Sequence, residues 1–283
     1  MYWVSFINFS NMRFIIFLFF FSSSIAKAQL SYTTISLTKS LDETSGLERF
    51  GDYLISHNDS GDDPKLYIFD TDGEKILEVE INKIKNKDWE DLASDTEHFY
   101  IADTGNNYAT RENLKIYILN RQFIPQGSIQ IRYEAQKTFS REAKNEYDAE
   151  ALAVVGDELI LFSKNRKTFK SQIYSFPKVA GDYVLTPRKV IDTQALITAA
   201  DYSEKDDLMV LTGYNSSGEQ FFYTLTNFVK NGFEKIEMKK YLIPIKPAQI
   251  EAIKIINANE FWLSSESEEK KNPRLFHFIL SEE

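Results

Sequence analysis

An all-β chain folded as a five-bladed β-propeller is the architecture this sequence predicts, and three observations carry that prediction. Short runs rich in aromatic and β-branched residues recur throughout, with 22 Phe and 15 Tyr in 283 residues and no amphipathic run of helical length. The runs fall into five similar units. The N-terminal stretch and the last unit each lack what the other supplies, so the chain can close into a ring and leave no exposed edge.

The first strands of the five units align as Thr44–Leu47, Trp89–Leu92, Ala149–Leu152, Ile197–Ala200 and Ile250–Ile253, where small or acidic residues precede an aliphatic one. Second strands follow at Tyr53–Ser56, Phe99–Ala102, Leu159–Phe162, Leu208–Leu211 and Phe261–Ser264. Third strands place an apolar residue before a ring: Leu66-Tyr67, Ile116-Tyr117, Ile173-Tyr174, Phe222-Tyr223 and Leu275-Phe276, spaced by 50, 57, 49 and 53 residues. Fourth strands are expected at Ile76–Ile81 after the Asp72-Gly73 turn, then at Ser128–Ile131, Tyr183–Leu185 and Phe233–Ile236. The fifth unit has none, and Thr34–Lys39 has no unit of its own, so that segment is expected to complete the last blade. The rival reading is six blades, with a degenerate one within Arg121–Glu146.

Residues 1–28 have the layout of a signal peptide: Arg13, an apolar run Phe14–Phe21, and small residues at Ala26 and Ala28 before a cut at Gln29. The run is too short to span a bilayer. The expectation is an exported protein, periplasmic or extracellular, with residues 29–283 forming one propeller domain. Without Arg13 and Lys27 the chain carries 31 basic and 42 acidic residues, a net charge near −11. Such a surface repels nucleic acid and anionic lipid, so neither nucleic acid nor, after cleavage, a membrane is an expected partner. The chain is expected to be a monomer with a small-molecule or anionic ligand. Its zero cysteines leave stability to the core.

Chemistry concentrates where the hairpins open. Lys87–Asn107 reads as a hairpin with acids at both free ends, and its antiparallel pairing brings Asp88, Glu90 and Asp91 toward Asp103 and the Gly105–Asn107 loop. Repeated around a propeller, this geometry gathers Glu43, Asp88, Glu90, Asp148, Glu150 and Glu251 at one mouth of the axial channel, together with Asp59 and Asp103. Carboxylates so close need hydration, cationic partners or a metal. Oxygen donors without cysteine suit a hard cation, Ca2+ above Mg2+, and these six acids are the candidate metal ligands. Asn58, Asp59, Asp103, Asn106 and Asn107 lie in loops after the second strands of neighbouring blades, and with Lys164 and Arg166 they are the candidate contacts for a small polar or anionic ligand. Plain turn formation explains the same Asn, Asp and Gly residues equally well.

Whether the protein is an enzyme stays open. No G-x-S-x-G elbow, cysteine nucleophile or Gly-rich phosphate cradle is present. Glu90 and Glu150 are the catalytic candidates, as an acid and base pair or as the base of a metal-dependent hydrolase of lactones or phosphoesters. A metal-free interaction platform on the same face is the third reading.

The recurring triplets Ser45–Leu47, Glu90–Leu92, Glu150–Leu152, Thr198–Ala200 and Glu251–Ile253, with HNDSGD at 57–62, DWEDLA at 88–93 and IADTGNN at 101–107, resemble the SdiA-regulated family of secreted bacterial propellers. The resemblance covers nearly all of the chain after residue 28 and implies the fold and export, but no activity. More distantly the chain is similar to gluconolactonase and regucalcin-type and phytase-like propellers. Those imply a calcium-type ion in the channel that supports hydrolysis. Glu43 matches by position the opening metal-ligand Glu of the lactonase type, whereas the lactonases' Asn ligands have no counterpart here, and both relatives are generally six-bladed.

Overall fold

The computed structural model describes residues 29–229, 232–233, 235–245, 248–268 and 271–281. The expected signal peptide lies outside the described residues. The chain enters on β1 (Gln29–Ser36) and a 3-10 turn at Lys39–Leu41. Blade 1 is β2 (Thr44–Phe50), β3 (Tyr53–Asn58), β4 (Lys65–Phe69) and β5 (Lys75–Glu80), and blade 2 is β6 (Asp91–Ser94), β7 (His98–Asp103), β8 (Lys115–Asn120) and β9 (Pro125–Tyr133). Blade 3 begins with β10 (Ala149–Val155), β11 (Glu158–Ser163) and β12 (Ser171–Pro177), after which come β13 (Gly181–Leu185) and β14 (Lys189–Ile191). Blade 4 is β15 (Leu196–Ser203), β16 (Leu208–Tyr214), β17 (Gln220–Thr226) and β18 (Glu237–Ile243). Blade 5 supplies β19 (Ile250–Asn257), β20 (Glu260–Ser265) and β21 (Arg274–Ser281), and β1 completes it by pairing antiparallel with β21. These are five sheets arranged as a five-bladed propeller. No sixth blade stands within Arg121–Glu146, a segment occupied by β9 and the crossover to blade 3.

Two outer strands depart from the sequence expectation. Tyr183–Leu185 is not the fourth strand of blade 3. It is β13, which runs parallel to β9 and adds a fifth strand to blade 2, while β14 closes blade 3 against β12. Tyr183 packs on Phe176 at 6.2 Å and Leu185 is buried beside Tyr133 and Tyr174, so the alternation that marks a strand is real but serves the neighbouring blade. The fourth strand of blade 4 is β18 rather than Phe233–Ile236. Phe233 has a φ of +69° and packs edge-on against Phe228 at 5.1 Å, a loop contact whose apolar signal imitates a strand.

Burial of apolar faces holds adjacent blades together. Each of the five interfaces carries its own apolar cluster, from Trp89, Phe99 and Leu66 between blades 1 and 2 to Leu47, Phe69 and Leu275 between blades 5 and 1. Hydroxyls near the axis tie the blades laterally. Ser45 donates to Glu90 O at 2.5 Å, Thr104 to Ala149 O at 2.7 Å, and Thr198 to Ile250 O at 2.7 Å, while Thr44 and Ser264 share a bond of 3.2 Å between blades 1 and 5. Among the described residues no helix is long and apolar enough to cross a membrane.

Candidate functional site

The inner strands share a device that aims side chains at the axis. In β10 the pairing skips from Ala149 to Ala151, in β15 from Ile197 to Ala199, and in β19 from Ile250 to Ala252, so Glu150, Thr198 and Glu251 have no partner opposite. Each is a bulge residue, and a bulge turns the strand and redirects a side chain. In blade 1 the register shifts after Ser45, and in blade 2 Glu90 N–H bonds to Ala102 O, the residue that also faces Asp91. Glu90, Glu150 and Glu251 thus converge with Ser45 on a small polar cavity of about 150 Å³ at one channel mouth.

The open ends of the hairpins pair as antiparallel geometry requires. Asp59 N–H bonds to Glu43 O at 3.0 Å, Gly105 to Asp88 O at 3.3 Å, Lys164 to Asp148 O at 2.8 Å and Glu266 to Gln249 O at 3.1 Å. These bonds set the rim of the cavity. A Cβ at Gly105 would collide with Glu90 Oε1 and the Asp88 carboxylate, so any side chain there would displace those two acids.

The charges sort into two poles. On the blade 3 side, Lys164 bonds to Glu150, and Arg166 bonds to Asp148 Oδ2 at 2.9 Å and to Glu150 Oε1 at 3.3 Å, with Asn107 also accepting from it. Glu90, Asp148 and Glu150 bring carboxylate oxygens within 4.8 Å of one another beside these cations. Burial alone would lower the Lys164 ammonium, but the charges of Glu150 and Glu251 hold it well above its ordinary value. On the blade 1 and blade 5 side, Glu43, Asp59 and Glu266 form a second group within the same limit, with no ion pair to a lysine or arginine among the described residues. Burial, reinforced by Glu43 and Asp88, pushes Asp59 up to about 7, and burial with Glu251 and Asp59 pushes Glu266 up to about 10. Asp88 is raised to about 6, chiefly by burial. Burial also raises Glu90 and Glu251. Glu251 is only 4% exposed. No donor among the described residues reaches its Oε1, nor Oδ1 of Asp59.

The sequence-predicted residues divide accordingly. Asp59, Asp88, Glu90, Asn107, Glu150, Lys164, Arg166 and Glu251 line the cavity. Asp148 lies just behind it, bonded to Arg166 and to Asn106 N–H at 2.7 Å, and Glu43 stands at the rim against Asp59 and Glu266. Asn58, Asp103 and Asn106 are held in other work. Asn58 reaches Ser40 O and Asp62, and Asn106 bonds to Arg111 N–H and Tyr147 O. Asp103 meets Arg111 Nη2 at 2.6 Å. Asp91, expected near this mouth, turns inward and accepts N–H groups from Leu152 at 2.7 Å and Ala200 at 3.3 Å, joining blades 2, 3 and 4. Tyr214, whose ring lies 5.1 Å from Lys164 Nζ, and Arg111 belong to the surroundings of the site without having been singled out from sequence. Tyr214 pairs with Leu196, one place beyond the Ile197–Gly213 pair that matches Ala149–Ser163, which puts it in the position of Lys164, and that register was the available signal.

No protein-family model and no curated protein matches this sequence. Solved structures do. The PQQ-bound aldose sugar dehydrogenase from Streptomyces coelicolor is 8% identical, with a TM-score of 0.54 over 90% of this chain and 100% of that one. An oxidoreductase assigned as a glucose dehydrogenase from Thermus thermophilus is 8% identical, with a TM-score of 0.49 over 88% of this chain and 100% of that one. A protein assigned as exported from Bacteroides fragilis is 9% identical, with a TM-score of 0.45 over 89% of this chain and 96% of that one. At 8% identity the likeness to the first of these, with its TM-score above 0.5, speaks for the fold alone. None of these names is that of the SdiA-regulated family.

Proposed function

We propose that this protein is an exported β-propeller that holds a hard divalent cation, calcium in preference to magnesium, at the axial mouth and through it binds a small polar or anionic ligand. The observation that carries the reading is the pair of buried carboxylate oxygens, Glu251 Oε1 and Asp59 Oδ1, that no donor among the described residues satisfies. Buried acceptors of this kind are costly unless a cation or donor meets them. Glu43 and Glu266 bring carboxylate oxygens within 4.8 Å of Asp59, and Glu251 lines the same cavity as Asp59 and Glu266, so the donors are all oxygen, the chemistry calcium takes. Arg166, 24% exposed on the opposite wall, supports the anionic half of the ligand. Export rests on the Phe14–Ala28 pattern.

Thermal unfolding with calcium, with magnesium and with chelator tests the ion. At a calcium concentration about a hundredfold above Kd, the gain of about 2.7 kcal/mol should raise the midpoint by roughly 5–10 °C. Glu251→Gln should remove most of that rise. An unchanged midpoint in the wild-type chain rejects the ion. A second reading, a hydrolase of lactones or phosphoesters, is favoured by Glu90: burial and the Glu150 charge raise its carboxyl, the condition for a general acid near neutral pH. A panel of lactones and phosphoesters assayed with the calcium-loaded protein separates the two, since turnover lost in Glu90→Gln would establish the enzyme.

A further inference from the structure

Beside the axial cavity, and sharing Asp59 and Ser60 with it, a wider trough of about 550 Å³ runs over the top of blade 1. Asp42, Glu43, Asp59 and Asp62 line it with Asn58 and Tyr67, and no lysine or arginine does. The volume is that of a small-molecule pocket rather than of one ion. Its most telling group is Asn58, 5% exposed. The Asn58 amide nitrogen donates to Ser40 O at 2.9 Å and to Asp62 Oδ2 at 2.8 Å. Both partners accept only, so the orientation of the amide is fixed and Oδ1 is the atom left over. Oδ1 is buried and no donor among the described residues meets it.

Asp62 is held in place, accepting from Tyr67 OH at 2.6 Å and from Asp63 N–H at 2.8 Å in addition to Asn58. The unpartnered buried side-chain atoms on its lining, Asn58 Oδ1 and Asp59 Oδ1, are both acceptors, and the charged residues that line it are all acidic. A ligand that fits must bring donors and positive charge on a body too large for a bare ion. We propose that this trough binds an alkylammonium group on a flexible chain, either a free polyamine or the lysine side chain of a peptide. The trough meets the axial ion's proposed ligands at Glu43 and Asp59 but extends beyond them to Asp42 and Asp62, which lie outside the axial cavity.

The test is calorimetric titration of the mature chain with spermidine and with N-acetyl tetralysine amide, at roughly 0.15 M salt so that diffuse attraction is screened. The titration is run in chelator and again in excess calcium. One-to-one binding of either probe is expected, weakened roughly tenfold by Asp42→Asn with Asp62→Asn, a loss of about 1.4 kcal/mol. The same binding should be unaffected by Glu251→Gln. Binding of spermidine alone assigns a polyamine, and binding of the peptide alone assigns a peptide. If the double variant melts early, Asp42→Asn alone serves, since Asp42 is exposed. Failure of both probes overturns the proposal, as does equal binding by the variant or by the peptide with its lysines acetylated. Loss of calcium binding with amine binding intact would reject the axial reading and leave this one standing.

Discussion

Lys254 shows what one residue can decide at the far side of the channel from the site. Its Nζ lies 2.8 Å from Glu48 Oε1 and 3.0 Å from Asp201 Oδ1, joining blades 5, 1 and 4 in a buried triad. Burial would lower the ammonium, but Asp201 and Glu48 outweigh it and hold the charge in place. Asp201 also accepts Ile255 N–H at 2.8 Å, and Glu48 accepts Arg49 N–H at 3.1 Å, so both acids are fixed where they stand. Lys254→Met keeps most of the apolar stem and removes the cation, which leaves two buried carboxylates facing each other. The expected cost is about 3–5 kcal/mol, or roughly 10 °C in the midpoint for a chain of this size. The deficit should shrink as pH falls and the acids take up protons. A variant melting within about 2 °C of wild type would show that the triad contributes nothing net.

At the scale of elements, closure depends on β1. It pairs with β21 over eight residues, from Gln29 opposite Ser281 to Ser36 opposite Arg274, and Tyr32 stacks on Phe278 at 5.4 Å. Starting the chain at Leu37 would bare the whole β21 edge, and unpaired edges recruit other strands. We expect that truncated chain to elute as dimers or larger species and to lose its cooperative transition at 37 °C, read by size-exclusion chromatography and thermal unfolding. A truncated chain that stays monomeric and melts with the full one would rule out β1 as the closing strand. The inner three strands of each blade were legible because both of their faces are buried: Leu159–Phe162 and Leu208–Leu211 are apolar at every position. The outer strands were not. β5 is mostly exposed and β18 alternates weakly, while the parallel pairing of β13 with β9 joins segments some fifty residues apart that no local pattern links. In the site, Glu90, Glu150 and Glu251 were readable because a Glu-Xaa-aliphatic triplet recurs in three of the five aligned first strands. The Arg111–Asp103 pair and the inward turn of Asp91 depend on single loop and rotamer choices, which periodicity does not encode.

The whole molecule gathers like charge at its centre, and that sets how its stability must vary with pH. A carboxyl whose folded pKa lies above its unfolded one costs stability as soon as the unfolded chain ionises, near pH 4. The cost grows until the folded group ionises as well. For Asp88 that end point is about 6, for Asp59 about 7 and for Glu266 about 10, burial being the main cause in each. Besides exposed Glu78, which bonds from Lys75 and Lys65 hold below its ordinary value, two groups act in the opposite sense. Burial holds His57 neutral with a pKa of about 4, so it removes stability as pH falls from about 6.5 to 4. Burial pushes Asp95 up, but bonds from Lys178 and from the N–H groups of Glu97 and His98 outweigh it and hold the acid at about 2, so its contribution is lost only below pH 4. The raised acids outnumber these two. In chelator the midpoint should therefore be higher at pH 5 than at pH 8, a reversal of the usual gain that ionised, paired carboxylates give. A divalent cation at Asp59, Glu251 and Glu266 would bind their ionised forms and cancel much of that slope, so calcium should flatten the curve mainly above pH 6. Melting curves at unit pH steps, with and without calcium, measure both effects at once. A midpoint that climbs from pH 5 to pH 8 in chelator would mean that the central carboxylates are already compensated within the chain, and no cation would then be needed there.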